Sequence, residues 1–309
     1  MKFVCGNRCP TRRFGPISLP PWTAGPKGTI LKQELAMNAP AKQWTDSEGL
    51  KYFCRHLVGL FVTYKHKTPE DAVQPDRFAA CAGTLIIIDN ILYFLTAGHV
   101  LKALDELRAH EKAEIGRAVL ADTFGLEIIS DVPIPFDLKG AQLFYIDDEL
   151  EGLDFGVIAL EGHYARLLAK NGAVALTEER WIHQSQVTFD GYAMLGFPEE
   201  FASQRVSQTG NAEVSPTMFR VKKLELPPAG RTPTKHPQFI GQLDPELALK
   251  SIKGMSGGPI FGFREEPNGR FRYWVVALQS SWDAGKRIVY GCSLPILASL
   301  MTDRREAAS

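Results

Sequence analysis

Cysteine is scarce in this chain: five among 309 residues, an odd number, at positions 5, 9, 54, 81 and 292. So thin a set provides no disulfide framework, and a chain of this length can bury a full core without one. Cys5 and Cys9 are too few and too badly spaced for a zinc site, so no metal or other cofactor is expected. Net charge is missing as well. Thirty-five basic residues balance 35 acidic ones. No overall field then draws in a nucleic-acid backbone or an anionic membrane, and neither is expected as a partner. The opening stretch MKFVCGNRCPTRRFGPISLPPWTAGPKGT has no apolar run of signal-peptide length and reads as a flexible tail. Met37 precedes a more ordinary segment and is an alternative start. There is no fixed-period repeat.

Long hydrophobic runs are limited to one, AACAGTLIIIDNILYFLTAGHVL at 79–101. Asp89-Asn90 sits in its middle, where a polar pair would be expensive in lipid. The same pair is a natural two-residue turn between β-branched and aromatic runs. The segment therefore reads as a β-hairpin, and the protein as soluble.

What is present is short strand material. LVGLFVTY (57–64), 82–88 and 91–97 are rich in Val, Ile, Leu, Phe and Tyr. Helical spacing from Val100 to about Leu120 predicts an inserted helix; strands resume near 126 and 142 and at DFGVIAL (154–160). The segment 163–181 reads as helical or irregular and divides two strand-rich halves. Beyond it, 186–198, 218–226, 258–265, 272–279 and 287–293 form a second set of strands, 227–250 a long loop, and LPILASLMTDRREA a terminal helix. The expected organisation is a tail over 1–50, a first β unit with its helix over 51–162, a linker over 163–185, and a second β unit with the C-terminal helix over 186–309. The class is all-β, as paired barrels or a sandwich.

The chemistry centres on KGMSGGPIFG (253–262), one serine among three glycines. A serine hydroxyl attacks poorly unless a base takes its proton and donors stabilise the resulting oxyanion. Glycines at 254 and 257 allow a tight turn in which the amides of Gly254 and Ser256 face one spot. An ordinary Gly-rich turn between strands would look similar. Two other segments speak for the chemistry. YFLTAGHVL places His99 just after an apolar strand, beside the small Ala97 and Gly98, and LDFGVIAL places Asp154 at the start of another. A carboxylate there can anchor the imidazole and fix its tautomer. Asp147 and Asp148 are rivals for that role but lack the apolar strand that follows Asp154. The order His, Asp, Ser differs from that of α/β-hydrolases, which disfavours an esterase of that type.

On these residues the chain resembles the trypsin-like, chymotrypsin-fold serine peptidases, nearer to intracellular prokaryotic-type members than to secreted ones. CAGTLI (81–86), TAGHV, DFGVIAL and GMSGGP resemble the family's motifs in the family's order, and LGFPEE (195–200) resembles a turn of its prokaryotic members. The resemblance covers roughly residues 54 to 300. It implies two antiparallel β-barrels with a cleft between them and hydrolysis of peptide bonds through an acyl-enzyme. His99 would be the general base, Asp154 its orienting partner and Ser256 the nucleophile, with the Gly254 and Ser256 amides as the oxyanion hole. Ser280 or Ser281 would lie on the substrate-binding strand, one of them bonding Asp154, and Lys250 would fall at the floor of the specificity pocket or face solvent.

The chain also departs from the pattern. Met255 replaces the aspartate that pairs with a newly cut N-terminus in secreted trypsins, so the oxyanion loop must be held by packing, or ordered by an activating partner. Val100 follows His99 where a cysteine would close a bridge to Cys81. The thiols are therefore expected to be reduced and the protein cytoplasmic. Peptide or protein is the expected substrate; the alternative is a non-enzymatic peptide-binding module that keeps the fold. The remaining histidines, His56 among them, are expected to be solvated.

Overall fold

A computed structural model describes residues 46–66, 77–122, 133–181, 187–201, 215–247, 249–267 and 271–300. It begins with helix α1 (Asp46–Phe53) and a 3₁₀ turn at Cys54–His56. There follow β1 (Leu57–His66), β2 (Arg77–Ile88), β3 (Ile91–Thr96), α2 (Gly98–Ala109), β4 (Ala113–Ala121), β5 (Ile134–Pro135), β6 (Leu143–Asp148), β7 (Leu153–Ala159) and α3 (Gly162–Lys170). The strands form one antiparallel sheet in the order β5-β4-β1-β2-β3-β7-β6. Its centre is the expected hairpin. Asp89 and Asn90 take φ of 50° and 62°, the double positive φ of a type I′ turn, and Ile88 pairs with Ile91 across it.

The sheet is buried on both faces, which is why its central strands read as nearly continuous apolar runs. Alternation along β1 sends Val58, Leu60 and Val62 into a cluster with Leu101 and Leu104 of α2 and Leu168 of α3. Leu57 and Phe61 point the other way, into a cluster that includes Phe261, Val275 and Leu278. Those three residues belong to the second β unit.

That unit is a closed antiparallel barrel of β8 (Gly191–Gly196), β9 (Thr217–Lys223), β10 (Gln238–Leu243), β11 (Pro259–Glu265), β12 (Phe271–Asp283) and β13 (Ile288–Ser293), in the order β10-β13-β12-β11-β8-β9. Met194, Phe219, Ile260, Val276 and Val289 fill it. Residues 294–300 are helical. The chain is thus mostly β with few helices, as the strand pattern led us to expect. No helix among the described residues is long and apolar enough to cross a membrane.

Four local readings change. The helix expected over 100–120 ends at Ala109, and Ala113–Ala121 is a strand paired with β1, Leu60 opposite Leu120. Ile115, Ala118 and Leu120 are buried in the sheet's core, so pairing with a distant strand overrides a helical spacing that a short apolar run cannot settle. The loop expected over 227–250 contains β10, whose Phe239, Gly241 and Leu243 alternate inward. Residues 46–50, read as tail, belong to α1, whose Phe53 is buried against Phe261 and Tyr273. His56 is not solvated but 1% exposed, its Nδ1 against the Val174 carbonyl and its Nε2 against the Tyr273 hydroxyl. The strand expected near 126 and residues 1–45 lie outside the described residues.

Candidate active site

Asp154 is the second residue of β7, and β7 pairs with β3, the strand that leads into α2. This pairing brings the first turn of α2 against the carboxylate. Asp154 Oδ1 accepts the backbone N–H of His99 at 2.8 Å, and Oδ2 lies 2.7 Å from His99 Nδ1. An ionised carboxylate only accepts, so Nδ1 carries the proton and Nε2 is left with its lone pair. Burial by itself lowers the His99 pKa, but the hydrogen bond and charge of Asp154 outweigh it and the net direction is upward. Burial likewise pushes Asp154 up, and its bonds to His99 and Ser280 bring it below the ordinary carboxylate value.

The rival acids are engaged elsewhere. Asp147 pairs with Lys102 at 2.8 Å, and Asp148 accepts the backbone N–H groups of Leu150 and Glu151. Of the two serines expected near the acid, Ser280 is the one that reaches it, donating to Asp154 Oδ2 at 2.6 Å. It sits at an irregularity between β12 and β13, where the register shifts between Gln279 and Ser281. An unpaired residue at such a bulge can re-aim its side chain.

Ser256 lies in the loop before β11. Gly257 N–H donates to Gln279 C=O at 2.8 Å and Gln279 N–H to Gly258 C=O at 2.9 Å, which fixes the loop beside Ser280. Gly257 has φ +85°, and a Cβ there would stand 2.0 Å from Thr96 Oγ1 and 2.8 Å from the Ala97 nitrogen. Ala97 is the N-cap of α2. The bare backbone at 257 therefore lets the serine loop abut the start of the histidine helix. No hydrogen bond joins His99 Nε2 to Ser256 Oγ among the described residues; such contacts are often long in unliganded sites.

Two turns shape the loop. Met255 N–H donates to Ile252 C=O, with Gly254 at φ +90° in the third position, a type II arrangement that requires glycine. Gly258 N–H donates to Met255 C=O. The N–H groups of Met255, Gly257 and Gly258 are thus used, while those of Gly254 and Ser256 have no acceptor among the described residues. Two such donors flanking a hydroxyl can receive an oxyanion. Met255 is wholly buried in the barrel core, against Gly196 of the LGFPEE turn. The same turn grips the loop from outside, Glu199 N–H donating to Lys253 C=O at 2.7 Å and Glu199 pairing with Lys253 Nζ at 2.9 Å.

A hollow of about 300 Å³ opens beside Ser256, lined by Ser251, Ile252, Lys253, Gln279, Ser280, Ser281 and Trp282. Lys250 is not part of that lining. Its side chain is exposed and its backbone N–H is held by Glu200. Gln279 and Trp282 escaped the sequence reading, although both flank the serines that it singled out.

Cys54, Cys81 and Cys292 are free and buried, each thiol pushed up to about 12 by burial. The described residues contain no cluster of His, Cys, Asp and Glu suited to a metal ion.

No protein-family model and no curated protein matches the chain. Among solved structures it is similar to a thermostable serine protease, AL20, from an extremophilic microorganism, at 14% identity and a TM-score of 0.43, over 78% of this chain and 92% of that one. It is also similar to an inactive serine-to-alanine mutant of Rv3671c from M. tuberculosis, at 12% identity and a TM-score of 0.40, over 82% of this chain and 88% of the other. At these values neither likeness assigns a family, and the site is read from its own geometry.

Proposed function

We propose that the chain is a trypsin-like serine endopeptidase. The observation that carries this reading is the clamp of Asp154 on both N–H groups of His99, completed by Ser280 from the other β unit. In the proposed reaction His99 Nε2 takes the Ser256 proton as Oγ bonds to the substrate carbonyl carbon. The carbonyl oxygen becomes the oxyanion and settles on the Gly254 and Ser256 N–H groups. Collapse breaks the C–N bond, the amine leaves with the proton from His99, and an acyl ester remains on Ser256. Water then attacks that ester with His99 again as base, releasing the acid and restoring the serine. Ser281 is exposed at the edge of the hollow on β12, the strand proposed to lie along a bound peptide. We place the protein in the cytoplasm, a reading supported by three buried free thiols.

A gated enzyme or a peptide-binding module is the second reading, favoured by the lack of a bond between His99 Nε2 and Ser256. Treatment with a fluorophosphonate separates the two. Labelling of Ser256 in the purified protein, lost in Ser256→Ala together with roughly a million-fold of turnover, is the expected result. A Ser256→Ala protein as active as the parent would dispose of the mechanism.

A further inference from the structure

Asp154 lies on an overhang of the first sheet. The pairing of β7 with β3 ends at Gly156, and before that residue β7 has only β6 beside it in the sheet, itself the edge strand. A two-stranded ribbon is marginal in water unless something packs on it. The second β unit packs on this one at the β6–β7 turn, residues 149–152. Three consecutive carbonyls of the turn each meet a donor from that unit. Lys235 N–H donates to Leu150 C=O at 3.4 Å, His236 N–H to Glu151 C=O at 2.9 Å, and Cys292 Sγ to Gly152 C=O at 3.4 Å. Gly152 has φ +78°, and a Cβ there would stand 2.7 Å from Thr234 Cβ and 3.0 Å from the His236 carbonyl oxygen. Bare backbone at 152 is what lets the two segments touch.

The donors are themselves fixed to the barrel. The Arg231 guanidinium lies 3.6 Å from the centre of the Tyr290 ring on β13 and donates to Gln238 Oε1 at 2.9 Å. Thr234 Oγ1 donates to the His236 carbonyl at 2.7 Å, and Gln238, which opens β10, pairs in register with Cys292. Asp154 stands two residues beyond Gly152, with only the buried Leu153 between them, so a displaced turn carries the carboxylate with it. Resting on the peptidase reading above, we infer that segment 231–236 is a clasp by which the barrel sets the backbone position of Asp154, with Thr234 and Cys292 as positioning residues for the Asp154–His99 pair. Ser280 holds the same residue by its side chain. The ion pair of Glu151 with Lys235, at 2.6 Å but largely exposed, adds little; the carbonyl bonds and the close approach at Gly152 do the holding. No residue of the clasp lines the hollow beside Ser256, so it acts on turnover rather than on substrate binding.

Peptide hydrolysis and the titration of His99 by NMR are measured in full-length Thr234→Ala, Thr234→Ser, Cys292→Ala, Cys292→Ser and Gly152→Ala, beside urea unfolding. Thr234→Ala and Cys292→Ala should lower kcat by about tenfold and Gly152→Ala by about a hundredfold, with KM little changed, as slight misplacement of a catalytic group implies. In the same variants the His99 pKa should fall, because the bond to Asp154 that raises it loosens while burial, which lowers it, stays. Serine at 234 or 292 keeps a hydroxyl donor and should hold both quantities near those of the parent. Should Gly152→Ala fail to fold, the Thr234 and Cys292 pairs decide the question. A loop of merely structural value would lower the urea midpoint and leave kcat and the His99 titration unmoved; that result overturns the inference, as do serine variants that fall as far as the alanine ones. Hydrolysis with an unmoved titration defeats the clasp alone. A lowered His99 pKa in the alanine variants of a parent that neither hydrolyses peptides nor takes a fluorophosphonate upholds the clasp and defeats the peptidase reading.

Discussion

Ser280 on β12 donates its hydroxyl to Asp154 on β7 at 2.6 Å, across 126 residues of sequence. The barrel thereby holds the acid that the first sheet supplies, and the acid holds His99. Loss of the charge while the shape is kept should undo this. Asp154→Asn is expected to lower kcat by about 10⁴-fold, because an amide facing Nδ1 favours the wrong tautomer.

The same variant should move the pH profile. A general base works deprotonated, so if His99 is that base kcat/KM rises with pH through its pKa, which Asp154 holds above the ordinary imidazole value in the parent. In Asp154→Asn the hydrogen bond and charge that raise it are gone and burial, which lowers it, remains. The acid limb of the residual activity should shift to lower pH; a shift upward would contradict the assignment.

Gly257→Ala tests the contact between the serine loop and the histidine helix. A side chain at φ +85° costs about 1–2 kcal/mol by itself, and this Cβ would also collide with Thr96 Oγ1, the Ala82 carbonyl and the Ala97 nitrogen. Two of these atoms are backbone and cannot swing aside. We expect lower urea resistance and near-complete loss of turnover, since Ser256 must move away from His99.

Met255→Ala tests whether packing sets the amides of Gly254 and Ser256. Truncating a fully buried methionine should destabilise the protein by about 2–5 kcal/mol. If packing orders the loop, kcat should fall while KM changes little, measured well below the unfolding temperature. Unchanged kcat in a destabilised variant would mean that the two turns hold the loop unaided.

His56 predicts acid sensitivity in a residue that is not part of the site. Burial is the main reason that its pKa falls from 6.5 to about 3. Between those values the unfolded chain binds a proton that the folded chain refuses, so stability should drop as pH falls from 6.5 toward 3. Urea midpoints at pH 7 and pH 4 check this, and His56→Phe should flatten the difference even if it lowers the midpoint at pH 7.

Several features were legible without coordinates because their causes are local. Asp89-Asn90 announces a hairpin since few other pairs tolerate two positive φ angles. Gly254 and Gly257 mark turns that no residue with a Cβ adopts cheaply. His99, Asp154 and Ser256 could be nominated because each ends or begins a recognisable strand or turn. Ala113–Ala121 was misread as helix, since its partner β1 lies some 50 residues earlier and leaves no mark on its own spacing. Likewise nothing around His56 in sequence foretells Tyr273, 217 residues away.

The sequence by itself determined the strand-rich class, the turns and which side chains to nominate for the site, because β-branched runs and obligatory glycines act over a few neighbouring residues. Only the tertiary structure decided that Ser280 rather than Ser281 reaches Asp154, that Lys250 stays outside the hollow, and that Gln279 belongs to its lining. Those outcomes depend on register and on a bulge between paired strands, where a shift of one residue turns a side chain to the opposite face.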